Sequence, residues 1–257
     1  MNLLSSSFLL FFLFIFTAES ADPAFYSCSN GNNKTQGANI DNLLAKLVSG
    51  TIQDGFIATS DGEGKDQIFG LAQCRGDVSK NDCSSCIQDA ATNIRKLCPN
   101  QADARIWYDY CFLRYKNTIF FGEVDTSGAY LINVQNVTDP DTFNKKLAAL
   151  MDQISSEAVK PASKGLGKGK SDISLFIKLY ALVQCTRDLS ALSCAECLAT
   201  AIGNFGTVCE NRKGCRVLYS SCYVRYELYP FFFPLEPQES LYHSSVKNYK
   251  LIMVFKH

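Results

Sequence analysis

The sequence predicts an α+β fold class with two tandem domains, each of which packs two α-helices on an antiparallel sheet and is stapled by disulfides. Three observations lead to this prediction. The 12 cysteines divide into two sets of six, the second set repeats most of the first, and helix and strand patterns follow in the same order in both halves. The 257 residues therefore divide into two modest domains.

The duplication is visible as a constant offset of 111 residues between the halves, as from Cys74 to Cys185. Five cysteines of the first set recur at this offset, and so do several other residues. These are Gln73/Gln184, Asp77/Asp188, Ser79/Ser190, Arg105/Arg216, Arg114/Arg225 and Tyr115/Tyr226. A gapless register of this length indicates an internal repeat.

Two helices are predicted in each half. Apolar residues recur at helical spacing over residues 40–48, where the pattern stops at Gly50, and again over residues 143–154,. A second helix is predicted over residues 83–97, with its counterpart over 194–208. Each second helix carries a C-x2-C pair on its first turn, so both sulfurs face one neighbourhood.

Strand patterns fill the rest of each half. The short apolar runs and the stretches rich in aromatic and branched residues lie at 68–74, 105–115, 180–185 and 216–226,. The glycine-rich segments 61–65 and 164–170 are predicted as equivalent loops. Gly169-Lys170-Ser171 ends like a phosphate-binding loop, but the motif would need glycine at Lys164, so we predict no nucleotide site.

The N-terminus predicts export. Residues 8–16 are uninterrupted apolar residues followed by small ones, which is typical of a signal peptide over residues 1–20 and too short to span a membrane,. We expect no membrane span elsewhere, and Asn33 and Asn136 begin sequons for glycosylation,. The formal charge is +0 without like-charge runs, which gives no basis for a nucleic-acid partner,.

The cysteines predict disulfides rather than a metal. Each half contains C-x8-C-x2-C, and thiolates at such spacing can also bind zinc,. Export favours oxidation, because disulfides persist in the compartments that secreted proteins enter. We therefore expect no cofactor and no metal.

Catalysis is not expected. The chain has two histidines, His243 and His257, and both lie near the C-terminus outside the repeats. Histidine is the commonest general base, and oxidised cysteines supply no thiolate nucleophile. Asp77 and Asp188 could act as paired acids, but each precedes a helix, where aspartate commonly caps or closes a turn. We predict a protein that is not an enzyme.

The chain resembles the plant cysteine-rich repeat secretory proteins, whose module is called ginkbilobin-like or salt-stress-response/antifungal. Both C-x8-C-x2-C units, the run from Val183 to Ser190 and the run from Gly214 to Glu227 carry the resemblance, which covers about residues 25–235. It implies two helices over a five-stranded antiparallel sheet per module. We place the first domain at 21–130, the second at 131–235 and a C-terminal tail at 236–257, which we expect to be a disordered extension.

The resemblance also implies the cysteine pairing. In the first domain the implied disulfides are Cys28–Cys98, Cys74–Cys83 and Cys86–Cys111. In the second domain they are Cys185–Cys194, Cys197–Cys222 and, from the remaining two, Cys209–Cys215. The last pair departs from the first domain, where the partner of Cys98 lies far upstream.

The founder of the family binds mannose through an Asn, an Arg and a Glu. The corresponding positions in the first domain hold Ser29, Arg105 and Lys116, so two of the three depart. In the second domain Arg216 and Glu227 match, and no cysteine marks the Asn position, although Asn133 and Asn136 lie nearby. The candidate carbohydrate-binding residues are thus Arg216, Glu227 and Arg105, with a simple ion pair as the alternative.

The resemblance implies a secreted binding protein of the plant apoplast that acts in stress or defence. The expected partners are cell-wall or fungal glycans, bound weakly in a mannose-type site of the second domain, and the protein is expected to have antifungal character. The alternative is a protein-interaction module without sugar binding, which associates with related receptor-like kinase ectodomains through the aromatic residues 229–233.

Overall fold

The computed structural model describes residues 22–29, 37–235 and 249–254. It confirms the predicted fold class, with two tandem α+β domains and six disulfides. The predicted signal peptide at 1–20 and the Asn33 sequon lie outside the described residues, so both stay predictions.

The first domain consists of two helices and a five-stranded sheet. Its helices are α1 (Gly37–Asp54) and α2 (Lys80–Leu97). Its strands are β1 (Phe25–Cys28), β2 (Phe56–Asp61), β3 (Ile68–Cys74), β4 (Asp103–Trp107) and β5 (Cys111–Lys116). They pair in the order β1-β4-β5-β3-β2, and all neighbours are antiparallel.

The second domain repeats this arrangement and adds one strand. Its helices are α3 (Pro140–Ala158), α4 (Ala191–Gly203) and the short α5 (Phe205–Val208). Its strands are β6 (Gly128–Asn133), β7 (Leu166–Asp172), β8 (Lys178–Cys185), β9 (Gly214–Tyr219), β10 (Cys222–Glu227) and β11 (Tyr249–Val254). The antiparallel order is β11-β6-β9-β10-β8-β7.

Strand β11 is the clearest departure from the sequence-based expectation. We expected the tail to be a disordered extension, but residues 249–254 pair with β6 along its full length. The segment contains aromatic and branched residues, which favour a strand when a free sheet edge is close. The second sheet therefore has six strands where five were expected.

Capping side chains define where the helices begin. The Ser79 hydroxyl accepts a hydrogen bond from the Asp82 backbone N–H at α2, and the equivalent Ser190 hydroxyl accepts from the Ser193 N–H at α4. Such a cap contributes about 1 kcal/mol to helix stability. The predicted 194–208 helix is interrupted at Asn204, after Gly203 has ended α4, because glycine lowers helix propensity.

The segment 164–170, predicted as a loop, mostly belongs to strand β7. Its glycines explain both the error and the fold. A Cβ on Gly167 would lie 1.9 Å from the Ile154 carbonyl oxygen of α3, and a Cβ on Gly169 would lie 3.0 Å from the Leu150 side chain. Without side chains at these positions, α3 lies directly against the strand backbone.

Each domain has its own core between helices and sheet. The residues predicted at helical spacing are buried, including Ile40, Leu43 and Leu47 at 0% exposure in the first domain. The second core contains Phe143 and Ile154 from α3, both at 1% exposure. Burying one such side chain contributes roughly 1.5–3 kcal/mol.

The disulfides attach the helices to the sheets, in the six pairs that the resemblance implied. In each domain the C-x2-C pair on the helix bonds to the ends of two neighbouring strands, as Cys74–Cys83 and Cys86–Cys111 and then as Cys185–Cys194 and Cys197–Cys222. The third bond differs between the repeats. Cys28–Cys98 closes a separation of 70 residues and ties α2 to β1, whereas Cys209–Cys215 spans 6 residues.

Candidate functional site

The two domains contact each other through a pair of equivalent glutamines. Gln73 Nε2 donates to the Cys185 carbonyl (2.9 Å), and its Oε1 accepts from the Arg187 N–H (2.9 Å). Gln184 makes the reciprocal pair. Its Nε2 donates to the Cys74 carbonyl (3.2 Å), and its Oε1 accepts from the Gly76 N–H (3.1 Å). Both side chains are buried. The exchange relates the repeats by an approximate two-fold axis.

The repeated aspartates extend this symmetry. Asp77 Oδ2 accepts from the Phe233 N–H (2.6 Å), and Asp188 Oδ2 accepts from the Gly122 N–H (2.9 Å). Gly122 and Phe233 are themselves equivalent, and each follows the last repeat strand of the opposite domain. Of the two roles predicted for these aspartates, helix capping is wrong, because Ser79 and Ser190 cap the helices. Each aspartate instead holds a segment of the other domain.

A surface ion-pair cluster also bridges the domains. Asp54 of the first domain accepts from Lys164 Nζ (2.7 Å) and from Arg187 Nη2 (2.6 Å). The hydrogen bonds from Lys164 and Arg187 lower the pKa of Asp54 to about 2. The carboxylate therefore stays ionised in all but strongly acidic solution.

The predicted pair Arg216 and Glu227 does come together in the second domain. Glu227 is 0% exposed, and its Oε1 lies 2.9 Å from Arg225 Nε and 3.6 Å from Arg216 Nε. Arg216 Nη1 also contacts Asp109 of the first domain at 2.6 Å. The buried Glu227 carboxylate thus compensates the charges of two arginines. It has a structural role in addition to being a candidate sugar-binding residue.

Strand register identifies the missing Asn position as Asn133. Arg105 pairs with Ser27, two residues before Ser29, and Arg216 pairs with Leu131, two residues before Asn133. Ser29 and Asn133 therefore occupy equivalent positions. Asn133 is buried and its Oδ1 accepts from the Gln135 N–H (2.9 Å). Asn136 lies on an exposed bridge to Arg212 instead. The second domain therefore holds the full Asn133, Arg216 and Glu227 set, here called the second-domain triad.

The tail strand covers this triad. Tyr249 pairs with Asn133 in the β11–β6 ladder, and its hydroxyl donates to Glu227 Oε2. The Arg216 guanidinium lies over the Tyr249 ring, 4.9 Å from its centroid. Burial raises the pKa of Tyr249, and the nearby Glu227 carboxylate raises it further. The phenol remains protonated and occupies the space in front of the triad.

The first domain presents an open site around Arg105. Arg105 Nη1 donates to Asp125 Oδ2 (2.9 Å), to Ser220 Oγ (2.6 Å) and to Ser127 Oγ. Arg114 Nη2 also contacts Asp125, at 3.2 Å. Burial alone would raise the pKa of Asp125, but Arg105 and the Ser127 hydrogen bonds outweigh it and hold the pKa below its ordinary value.

A cleft of about 380 Å³, here called the Arg105 cleft, is lined by Arg105, Arg114, Asp125 and Ser127. Lys116, Phe25, Trp107 and Phe120 also line it. Ligand pockets usually fall in the range of about 300–1,000 Å³. The cleft combines cations, a carboxylate, hydroxyls and aromatic rings in one concave surface.

The two repeats differ in charge at the Glu227 position. Lys116 stands where the second domain has Glu227. In the first domain the compensating carboxylate comes instead from Asp125, which precedes β6. Asp125, Asn133 and Tyr249 were not predicted as site residues. Asn133 could have been found by register, but Asp125 and Tyr249 have no repeat signal.

The aromatic stretch 229–233 is not an exposed patch. Phe231 is 1% exposed and packs with Tyr180 and Leu182, and the Phe233 N–H is bound by Asp77. These residues stabilise the contact between the two domains and do not form a surface for a partner protein. The most exposed large apolar side chains among the described residues are Leu175 and Phe176, both at 95%.

Within the described ranges, acids, histidines and cysteines form no cluster able to hold a metal ion. All 12 cysteines are in disulfides. Among the helices that the structure describes, none has the length and apolar character needed to cross a bilayer.

The fold and sites define a pair of fused, disulfide-rich α+β modules with one open and one covered cleft. The salt stress response/antifungal family model matches residues 27–118 and 132–229. The chain belongs to this family.

The chain is similar to named secretory and antimicrobial proteins. It is 53% identical over 248 residues to cysteine-rich repeat secretory protein 55 of Arabidopsis thaliana, covering 93% of this chain and 94% of the relative. It is 43% identical over 234 residues to the antimicrobial ginkbilobin-2-like protein of Castanea crenata, covering 89% and 96%. These relatives are named as secretory or antimicrobial proteins, not as enzymes.

Solved structures agree with the fold. The tandem DUF26 ectodomain of the Arabidopsis thaliana cysteine-rich receptor-like protein PDLP8 matches with a TM-score of 0.70 and 30% identity, over 80% of this chain and 97% of the ectodomain. The corresponding ectodomain of PDLP5 matches with a TM-score of 0.67 and 25% identity, over 80% and 99%.

Proposed function

We propose that this protein is an apoplastic binding protein of plant stress or defence, and that it binds a glycan in the Arg105 cleft. The relatives named as secretory and antimicrobial support the setting. The observation that carries the site is the contrast between the repeats. The Arg105 cleft is open, while Tyr249 covers the second-domain triad.

The chemistry of the cleft suits sugar hydroxyls. Arg105 and Asp125 place a guanidinium and a carboxylate side by side, at 2.9 Å. Such groups make directional, charge-assisted hydrogen bonds to vicinal hydroxyls. Phe25 and Trp107 back the wall of the cleft with ring centroids 5.3 Å apart, and at 8% and 3% exposure they mainly stabilise its shape.

A glycan array of the mature protein tests the proposal. Arg105→Lys keeps the charge but loses the guanidinium fork, so we expect glycan binding to fall by about ten-fold or more. Lys116→Ala changes the lining of the same cleft and should also weaken binding. The matched control is Arg216→Lys, the equivalent change in the covered site, which should leave binding unchanged.

Thermal unfolding must accompany the array, because Arg105 also contacts Ser220 of the second domain. Loss of binding with an unchanged melting temperature supports the proposal. Equal loss in the Arg105 and Arg216 variants, or no glycan bound by the wild type, would contradict it.

A second candidate function is a protein-interaction module for related receptor ectodomains. The observation that favours it is the β7–β8 hairpin tip, where Leu175 and Phe176 are each 95% exposed, since exposed apolar side chains in adjacent positions often mark a contact surface. The equivalent first-domain hairpin carries Glu63 and Lys65 at its tip.

Surface plasmon resonance against purified family ectodomains tests this candidate. Leu175→Ser with Phe176→Ser should abolish binding, and Glu63→Ser with Lys65→Ser is the matched control. Absence of any ectodomain binding by the wild type, or equal loss in both variants, would reject it.

A further inference from the structure

We propose that the β6 edge of the second domain is a binding site for an extended polypeptide strand that carries a tyrosine. In the structure the chain's own strand β11 fills this site. The ligand class is a peptide strand, bound by β-strand addition with one side-chain pocket. The side-chain pocket lies at the Asn133 end of β6 and the Arg105 cleft at its Gly128 end, so this proposal and the proposed glycan function can fail independently.

The backbone of β6 provides the general part of the recognition. Six residues of β11 pair antiparallel with β6, from Tyr249 opposite Asn133 to Val254 opposite Gly128. Strand β1 is the equivalent edge of the first sheet, and within the described part of the chain no strand pairs with its outer side. An unpaired edge offers a row of N–H and C=O groups to another strand.

A tyrosine pocket provides the specific part. The Tyr249 hydroxyl donates to Glu227 and lies 3.1 Å from the Tyr229 hydroxyl, while Arg216 covers its ring. Gly214 forms the floor, where an added Cβ would lie 3.0 Å from the Tyr249 hydroxyl oxygen. We call Arg216, Glu227, Tyr229 and Gly214 the tyrosine pocket.

The first domain lacks this pocket. Its residues at the positions of Gly214 and Glu227 are Asp103 and Lys116. A carboxylate side chain would fill the floor, and lysine cannot accept the tyrosine hydroxyl hydrogen. The pocket is thus not a requirement of the fold, because one repeat dispenses with it.

The bound strand is held in a way that permits exchange. Beyond Tyr249, the side chains of Leu251, Ile252 and Met253 stay partly in solvent, at 46%, 38% and 55% exposure. Binding therefore depends mainly on the backbone ladder and on one half-buried aromatic ring. A second strand with the same two features competes for the same site.

A labelled peptide copying residues 246–257 tests the proposal by fluorescence anisotropy on the full mature chain. Tyr249→Ala in the protein removes the anchor of the competing strand, so this variant should bind the peptide at least about ten-fold more tightly than the wild type. The same substitution in the peptide should weaken its binding to that variant by about ten-fold or more, because burial of an aromatic side chain is lost.

Two controls keep the result interpretable. Met253→Ala in the peptide changes an exposed side chain and should leave binding unchanged. Tyr249→Phe in the protein retains the ring and should give intermediate affinity, with near-ultraviolet circular dichroism checking that each variant is folded. Equal binding of the tyrosine and alanine peptides, or no binding to the folded Tyr249→Ala protein, would overturn the proposal.

Discussion

The reciprocal glutamines give the sharpest test of the domain pairing. In Gln73→Ala the Cys185 carbonyl loses its donor and the Arg187 N–H loses its acceptor, which were each 2.9 Å away. A buried polar group left without a partner costs about 1–3 kcal/mol. With two such groups, we expect the free energy of unfolding to fall by at least about 2 kcal/mol.

Gln184→Ala should have a similar effect, because it removes the symmetric pair of hydrogen bonds at 3.2 and 3.1 Å. The double variant should cost less than the two single changes together, since either one already opens the shared interface. The matched control is Gln88→Ala, whose exposed side chain bonds only to Ser84 of its own helix.

Urea unfolding of the oxidised protein, followed by tryptophan fluorescence and far-ultraviolet circular dichroism, measures these changes. Trp107 lies at the interface and donates to the Tyr219 carbonyl of the other domain at 3.2 Å. We expect coincident transitions in the wild type and separated ones in the double variant. A change below about 0.5 kcal/mol in either single variant would refute the reasoning.

Three further changes have defined outcomes. Glu227→Ala should lower the free energy of unfolding in urea by about 3–5 kcal/mol, because it leaves Arg225 and Arg216 without their buried carboxylate,; a loss no larger than in exposed Glu210→Ala would contradict this. Removing Cys28–Cys98 should cost about 4 kcal/mol and removing Cys209–Cys215 about 2 kcal/mol, since their separations are 70 and 6 residues,; the reverse order of melting temperatures would count against it. Asp54→Asn should remove a stabilisation that is present above pH 4 and lost as the pH falls towards 2, because the folded-state pKa of Asp54 is lowered from 3.8 to about 2,; identical acid-unfolding curves for wild type and variant would exclude it.

Most of the fold could be predicted from the sequence, because the helix and strand patterns of one half recur in the same order in the other. Helical spacing located α1 and α3 well, since residues such as Ile40 and Phe143 belong to one buried face. The glycines of β7 misled the prediction because glycine weakens a strand locally, while here it permits contact with α3,. That tertiary contact leaves no pattern in the sequence.

The candidate site could be predicted only in part. The repeat and the family motif pointed to Arg105, Arg216 and Glu227, but not to their division between one open and one covered site. That division depends on two residues outside the repeated positions. Asp125 compensates Arg105 from the connection between domains, and Tyr249 reaches the triad from the C-terminal strand. Such contacts follow from three-dimensional proximity, which residue spacing does not encode.

The buried charges of the second domain limit what a substitution there can show about ligand binding. Loss of glycan binding in Glu227→Ala would not identify a ligand contact, because Glu227 is 0% exposed and holds Arg225 at 2.9 Å. A variant in the open cleft, such as Lys116→Ala, separates binding from folding more cleanly.

Hydrogen exchange of the native mature protein, read by mass spectrometry over residues 249–254, most directly tests whether the second-domain site is covered while the first is open. We predict that these amides are protected in the wild type and exchange much faster in Tyr249→Ala, together with those of the β6 edge. Exchange of residues 249–254 in the wild type at the rate of an unstructured peptide would contradict the account.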